Sequence, residues 1–280
     1  MKGQGRSKAT GPVQEETKMY AFDFERPDTI DDALKALGAE DAQPLSGGQT
    51  LIPTLKSRLA MPSKLVSLTA IPELKGICTS DDGALCVGAA TTHAEVAAGA
   101  GAYPALAALA GNIGDPAVRN RGTIGGSLAN NDPSACYPAA ALASGATIVT
   151  NSRQIAADDF FDGMFTTVLD EGEIIVEVRF PVPQKASYQK FEQPASRFAL
   201  VGVFVAKYPD GVRVAVTGAA EDGVFRWTQA ETALSSDFSA GAVSGLDVPD
   251  NAMIGDLHGS PEYRAHLVKV MTGRAVKAAG

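Results

Sequence analysis

At 280 residues the chain is long enough for about two domains, and with 45% hydrophobic and 20% charged residues it has the composition of a globular protein rather than a disordered one. Lys and Arg number 24 against 32 Asp and Glu, a net charge of −8 that argues against the phosphate backbone of a nucleic acid as a partner. No apolar run approaches the ~18 residues of a membrane-spanning helix. Three cysteines (78, 86 and 136) without a C-x-x-C spacing exclude a disulfide framework, a zinc ribbon and a cysteine-ligated iron–sulfur cluster within this chain.

Residues 1–18 are polar and lack periodicity, and they read as a disordered extension. Thr29 is placed as the N-cap of a helix over 30–37, with Asp31 and Asp32 in its first turn, one apolar face of Ile30, Ala33, Leu34 and Leu37, and Gly38 as the stop. A strand over 43–45 runs into Ser46-Gly47-Gly48-Gln49-Thr50, followed by a short helix over 51–56 and a strand over 64–68. That β-α-β opening fits a small parallel sheet. The Asp82-Gly83 turn predicts a hairpin of 76–79 with 84–88. Helices are expected over 92–98, 103–110 and 137–144, a glycine-dense loop over 111–127, and strands over 146–150 and 173–180. Pro181-Val182-Pro183 marks a domain boundary. Beyond it, a hairpin of 198–208 with 212–219 and helices over 229–234 and 261–277 make an α+β module, with a surface loop over 245–259.

Two glycine pairs carry the chemistry. In Ser46-Gly47-Gly48-Gln49-Thr50 and Gly122-Thr123-Ile124-Gly125-Gly126-Ser127, adjacent glycines can turn successive N–H groups into one anion-binding concavity, and flanking hydroxyls add donors. Either pair alone, a Gly-Gly beside a hydroxyl, is usually just a turn. Neither fits the P-loop nor the Rossmann G-x-G-x-x-G, which disfavours a nucleotidase and a nicotinamide-first dehydrogenase. Taken together, the pairs point to a pyrophosphate site on a different scaffold.

Ser46 to Pro53 with Lys56, Arg58-Leu59-Ala60 and Pro62, and above all Gly114-Asp115-Pro116-Ala117-Val118-Arg119-Asn120-Arg121-Gly122-Thr123-Ile124-Gly125-Gly126-Ser127-Leu128-Ala129-Asn130, resemble the two flavin loops of the FAD-binding medium subunits of molybdenum hydroxylases. This is the xanthine dehydrogenase and aerobic carbon monoxide dehydrogenase family, and carbon monoxide dehydrogenase-type subunits look nearest. The resemblance runs from about Met19 to the C-terminus and includes Glu262-Tyr263-Arg264. It implies an α+β fold: an FAD-binding domain over 19–183, split into a small parallel part (19–73) and a larger antiparallel part (74–183), then a C-terminal α+β domain over 184–280. It also implies FAD binding by Ser46, Gly47, Gly48, Gln49, Thr50, Asp115, Thr123, Ile124, Gly125, Gly126, Ser127, Asn130 and Asp132. Phe198 would cover the flavin ring where relatives carry a tyrosine. Cys136 stands where relatives carry an acidic ribose-binding residue.

The resemblance further implies an electron-transfer role. Substrate oxidation would occur at a molybdopterin-type cofactor in a large partner subunit, electrons would cross two [2Fe–2S] clusters in a small subunit, and FAD here would discharge them to an external acceptor. A dimer of heterotrimers follows from the same source. No catalytic side chain or metal ligand is expected on this chain. Arg119 and Arg121 face the cofactor phosphates or the small subunit, or are surface cations flanking a turn, and His93 caps or solvates a helix. Reduced thiols fit the cytoplasm, with any membrane association coming through partners. A stand-alone FAD oxidoreductase and a phosphate-sensing module are the competing functions.

Overall fold

The computed structural model describes residues 19–248, 250 and 252–280, so the expected extension over 1–18 lies outside the described residues. The first sheet is parallel, in the order β1 (Asp23–Glu25), β3 (Lys64–Ser67), β2 (Ala42–Leu45). α1 (Ile30–Leu37) connects β1 to β2, and α2 (Leu51–Lys56) connects β2 to β3. Thr29 caps α1 as expected, its hydroxyl accepting from Asp32 N at 3.2 Å. Ala33, Ala36 and Leu37 of α1 pack on Val66, Ile71 and Leu74. β1 was not expected, because its three residues, Asp-Phe-Glu, are all exposed and carry no alternation.

The expected hairpin forms from β4 (Ile77–Thr79) and β5 (Leu85–Gly88). It is followed by α3 (His93–Gly99), α4 (Pro104–Gly111), α5 (Pro116–Arg119), α6 (Ile124–Asn130) and α7 (Tyr137–Ser144), then β6 (Thr147–Thr150), β7 (Gln154–Ala156) and β8 (Ile175–Phe180). The strands make an antiparallel sheet in the order β4-β5-β8-β6-β7. The glycine-dense stretch 111–127 is therefore not a loop. Asp115 caps α5 by accepting from Val118 N at 2.9 Å, and Thr123 caps α6 by accepting from Gly126 N at 3.2 Å. Good caps outweigh the low helix propensity of glycine in so short an element.

The third sheet, antiparallel in the order β12-β11-β10-β9, comprises β9 (Lys185–Glu192), β10 (Ala199–Tyr208), β11 (Gly211–Ala220) and β12 (Gly223–Arg226). It is backed by α8 (Thr228–Ser236) and α9 (Pro261–Ala279). β10 is buried on both faces, which is why it reads as an unbroken apolar run. Val201, Val203 and Val205 face Val268 and Met271 of α9, while Phe204 and Ala206 join Tyr103, Tyr137 and Phe180 in the central core. α7, buried at every residue, lies against β10 and β11 and ties the third sheet to the rest. Arg264 of α9 stitches the same layer, its Nη1 donating to Leu200 O and Gly218 O at 2.7 Å each. Among the described residues no helix is long and apolar enough to cross a membrane. The architecture is the expected α+β one: a small parallel sheet with larger antiparallel sheets and helices.

Candidate functional site

A cleft of about 580 Å³ opens where these layers meet, a size typical of small-molecule and cofactor sites. Its floor is the junction of the two glycine segments. The first leaves β2 at Leu45, whose carbonyl accepts from Leu68 N at 2.9 Å, so the parallel sheet holds Ser46 at its edge. Gly48 then turns at φ +69°, a conformation that glycine adopts with little strain. Gly47 has a different reason to be glycine: a Cβ there would lie 2.3 Å from Arg121 O and 2.6 Å from Gly122 Cα. The two segments thus touch backbone to backbone. Beside this contact, the hydroxyls of Ser46 and Thr123 share a hydrogen bond of 2.8 Å.

The two segments offer donors differently. Among the described residues, the N–H groups of Gly47, Gly48, Gln49 and Thr50 have no acceptor, which makes the first segment an open nest for an anion. In the second, Ile124 N donates to Thr91 O at 3.2 Å and Gly125 N to Ala89 O at 2.9 Å. Gly126 N bonds the Thr123 hydroxyl, and Ser127 N bonds Thr123 O at 3.0 Å. The expectation of a glycine nest here is corrected: Gly125 and Gly126 are helical, and Gly125 is required because a Cβ would meet that of Ala89 at 2.6 Å. What this segment presents to the cleft is a helix start with the Thr123 and Ser127 side chains.

Ser46, Gly47, Gly48, Gln49, Thr50, Thr123, Gly125, Gly126, Ser127, Asn130, Asp132 and Phe198 all line the cleft. Asp115 and Ile124 do not. The Asp115 carboxylate is spent on capping α5, and the Ile124 side chain is buried in the central core. Asp132 accepts from Ser134 N at 2.8 Å through one oxygen in a tight turn. Its backbone is fixed by Asn131, which adopts φ 41° and donates to Gly163 O and Thr166 O. Cys136 is also in the wall, buried, and burial pushes its thiol up, so it meets a ligand as a neutral, weakly polar group.

Phe198 sits at the tip of the β9–β10 hairpin, half exposed over the cleft. Lys190, whose side chain is buried, secures that tip: its Nζ donates to Arg197 O at 2.9 Å and to Asn112 O at 2.6 Å. Arg119 likewise faces inward, with Nη1 on Ile113 O and Gly114 O at 3.1 and 2.9 Å, whereas Arg121 is exposed. Neither arginine lines the cleft. Glu173, a buried wall residue, is held well below the usual carboxylate range, chiefly by Arg153 at 2.8 Å with help from Thr150 and Ser152. Lys190, Arg119 and Glu173 are satisfied within the protein, so the donors left for a ligand are neutral amides and hydroxyls together with the exposed Arg197 guanidinium, which also lines the cleft.

Three wall features were not anticipated. His93 is neither a cap nor solvated: Thr92 is the cap of α3, and the imidazole is buried behind Gly122, where a Cβ would lie 2.5 Å from Nε2. Burial, then the charge of Arg119, lowers its pKa to about 4. Leu169 and Ile174 supply apolar wall from a remote stretch. Thr92 and Glu95 form a capping box at the start of α3, but nothing in the sequence reveals that the ring packs under the second glycine segment.

A family model described as "FAD binding domain in molybdopterin dehydrogenase" matches residues 20–183. The chain belongs to this family. The carbon monoxide dehydrogenase medium chain of Hydrogenophaga pseudoflava is 32% identical over 278 residues, covering 92% of this chain and 96% of the relative. The nicotine 6-hydroxylase medium subunit of Paenarthrobacter nicotinovorans is 35% identical, covering 94% and 99%. Among solved structures, quinoline 2-oxidoreductase from Pseudomonas putida 86 superposes with a TM-score of 0.83 at 31% identity, covering 94% of this chain and 98% of that one. The protein is thus an FAD-binding oxidoreductase subunit of the molybdenum hydroxylase type. The donor set fits that cofactor: an open row of amides beside two hydroxyls suits a diphosphate, and the apolar wall suits a flat ring system.

Proposed function

We propose that this medium subunit takes electrons from two [2Fe–2S] clusters on a small partner subunit and delivers them to an external acceptor. Substrate is oxidised at a molybdopterin-type cofactor in a large partner subunit, and the complex is a cytoplasmic dimer of heterotrimers. FAD, when bound, supplies a carrier that accepts and releases electrons singly or in pairs. The chain's own residues have three tasks. The Gly47–Thr50 amides, with the hydroxyls of Ser46, Thr123 and Ser127, take the diphosphate. Asn130 and Asp132 bind toward the adenosine side. Phe198, held by the Lys190 clamp, covers the flavin ring. Asp115 and Ile124 contribute by shaping α5 and anchoring α6 rather than by touching the ligand. On this reading the FAD-binding domain ends at 183, and 184–280 is a separate C-terminal domain.

The observation that carries the reading is the backbone contact of Gly47 with Arg121 and Gly122, which brings an open amide row beside a capped helix start. The multi-subunit part is supported by relatives named as medium chains that match this chain along nearly their whole length. They act within enzymes named for carbon monoxide and nicotine, so substrate choice belongs to another polypeptide. Purification from the native source should yield a yellow complex with a large and a small chain, releasing unmodified FAD on denaturation. The reading fails if the protein purifies alone, or if adding substrate to the complex leaves the flavin absorbance unbleached.

A further inference from the structure

Two thiols that lie far outside any metal-binding spacing in sequence, Cys78 and Cys86, stand opposite one another on β4 and β5. Ser80 N donates to Ala84 O at 2.9 Å and Gly88 N to Gly76 O at 3.0 Å. Hydrogen-bonded pairs alternate along an antiparallel ladder, so 78/86 is also a hydrogen-bonded pair. Such pairs hold their Cβ atoms at the wide end of the cross-strand range, about 5.5 Å, whereas a disulfide needs ~3.5–4.5 Å. The sulfurs face each other without the geometry to bond.

The neighbouring strand completes the set. β8 places Arg179 opposite Cys86 and Glu177 opposite Gly88, so Glu177 shares the outer sheet face with both thiols. The ligand atoms of Cys78, Cys86 and Glu177 all lie within 4.8 Å of one another. A tetrahedral zinc with Zn–S bonds of ~2.3 Å would set the sulfurs about 3.8 Å apart, which a modest side-chain rotation supplies. Arg179 Nε donates to Glu177 Oε1 at 2.7 Å, which leaves Oε2 for an ion and orients the carboxylate from outside. Cys78 is exposed, giving an entry path and room for a water as fourth ligand.

We propose that Cys78, Cys86 and Glu177 form a binding site for a soft divalent cation of the zinc class, on a sheet face outside the cleft. Binding replaces two thiol protons, which pass to solvent, and involves no change of oxidation state. To test it, the FAD-loaded protein is stripped with a chelator under reducing conditions and titrated with zinc, then with cobalt as a spectroscopic substitute. The wild type should retain one zinc per chain after desalting and show sulfur-to-cobalt charge-transfer absorption. Cys78→Ser should lose both, and Glu177→Gln should weaken zinc retention, each with unchanged flavin content and melting temperature. Equal zinc retention in wild type and Cys78→Ser, absence of the charge-transfer band, or isolation of the pair as a disulfide two hydrogens lighter would overturn the assignment.

Discussion

The side-chain oxygens of Ser46 and Thr123 lie 2.8 Å apart although 77 positions separate them in the chain. The bond locks the edge of the parallel sheet to the start of α6, and it lies beside the only stretch of the cleft floor where a row of backbone amides stands free among the described residues. Thr123 has a second duty as the α6 cap, whereas Ser46 does not. Ser46→Ala should therefore weaken FAD binding about five- to tenfold, the loss of about 1 kcal/mol of hydrogen bonding, with little change in stability. Thr123→Ala should lose a comparable factor in FAD affinity and about 1 kcal/mol of stability as well, while Thr123→Ser restores both. Because the two hydroxyls touch, the double variant should fall short of the sum. Fluorescence titration of apoprotein with FAD, paired with urea unfolding, separates these outcomes; additive losses would show that the bond is incidental.

His93 makes the fold sensitive to acid. Burial, seconded by Arg119, lowers its pKa from 6.5 to about 4. In the unfolded chain the imidazole takes up a proton at higher pH than it does when folded. The stability linked to it is thus present above about pH 6.5 and is lost as pH falls toward about 4, a total of order 3 kcal/mol. His93→Gln removes this slope. Urea unfolding at about pH 7 and about pH 5 should show the wild type losing more stability than the variant between the two; parallel losses would contradict the assignment.

Much of this was legible in sequence, for identifiable reasons. Thr29 with its acidic first turn, and Asp82-Gly83 between apolar runs, are local signals whose physics needs no tertiary context, and both elements form. The two glycine segments singled out in the sequence meet in the fold. Their inner workings were not legible: Gly47 and Gly125 are glycine because of Arg121 and Ala89, contacts that no local pattern encodes. β9 was missed because Lys185 to Glu192 is mixed in polarity and follows a proline pair that reads as a boundary. Its role, aiming Phe198 through Lys190, depends on pairing with β10.

Arg264 carries a stability prediction independent of the cleft. Its guanidinium, almost fully buried, satisfies Leu200 O, Gly218 O and Asp256 together. Arg264→Met should cost about 3–5 kcal/mol by stranding those acceptors, and Arg264→Lys should recover only part, since one ammonium cannot reproduce the planar fork. Chemical denaturation checks this. A loss below about 1 kcal/mol in Arg264→Met would mean that the layer is held by apolar packing alone.

The most direct test compares flavin content in Gly47→Ala and Gly101→Ala. A Cβ on Gly47 would press within 2.3 Å of Arg121 O and part the two segments, while one on Gly101 meets nothing within 4 Å. Both proteins are purified identically and assayed for FAD per chain by absorbance after denaturation. The Gly101 variant should keep the wild-type content and the Gly47 variant should be largely flavin-free while still folded by circular dichroism. Full FAD occupancy in folded Gly47→Ala would contradict the claim that contact between these segments builds the diphosphate site.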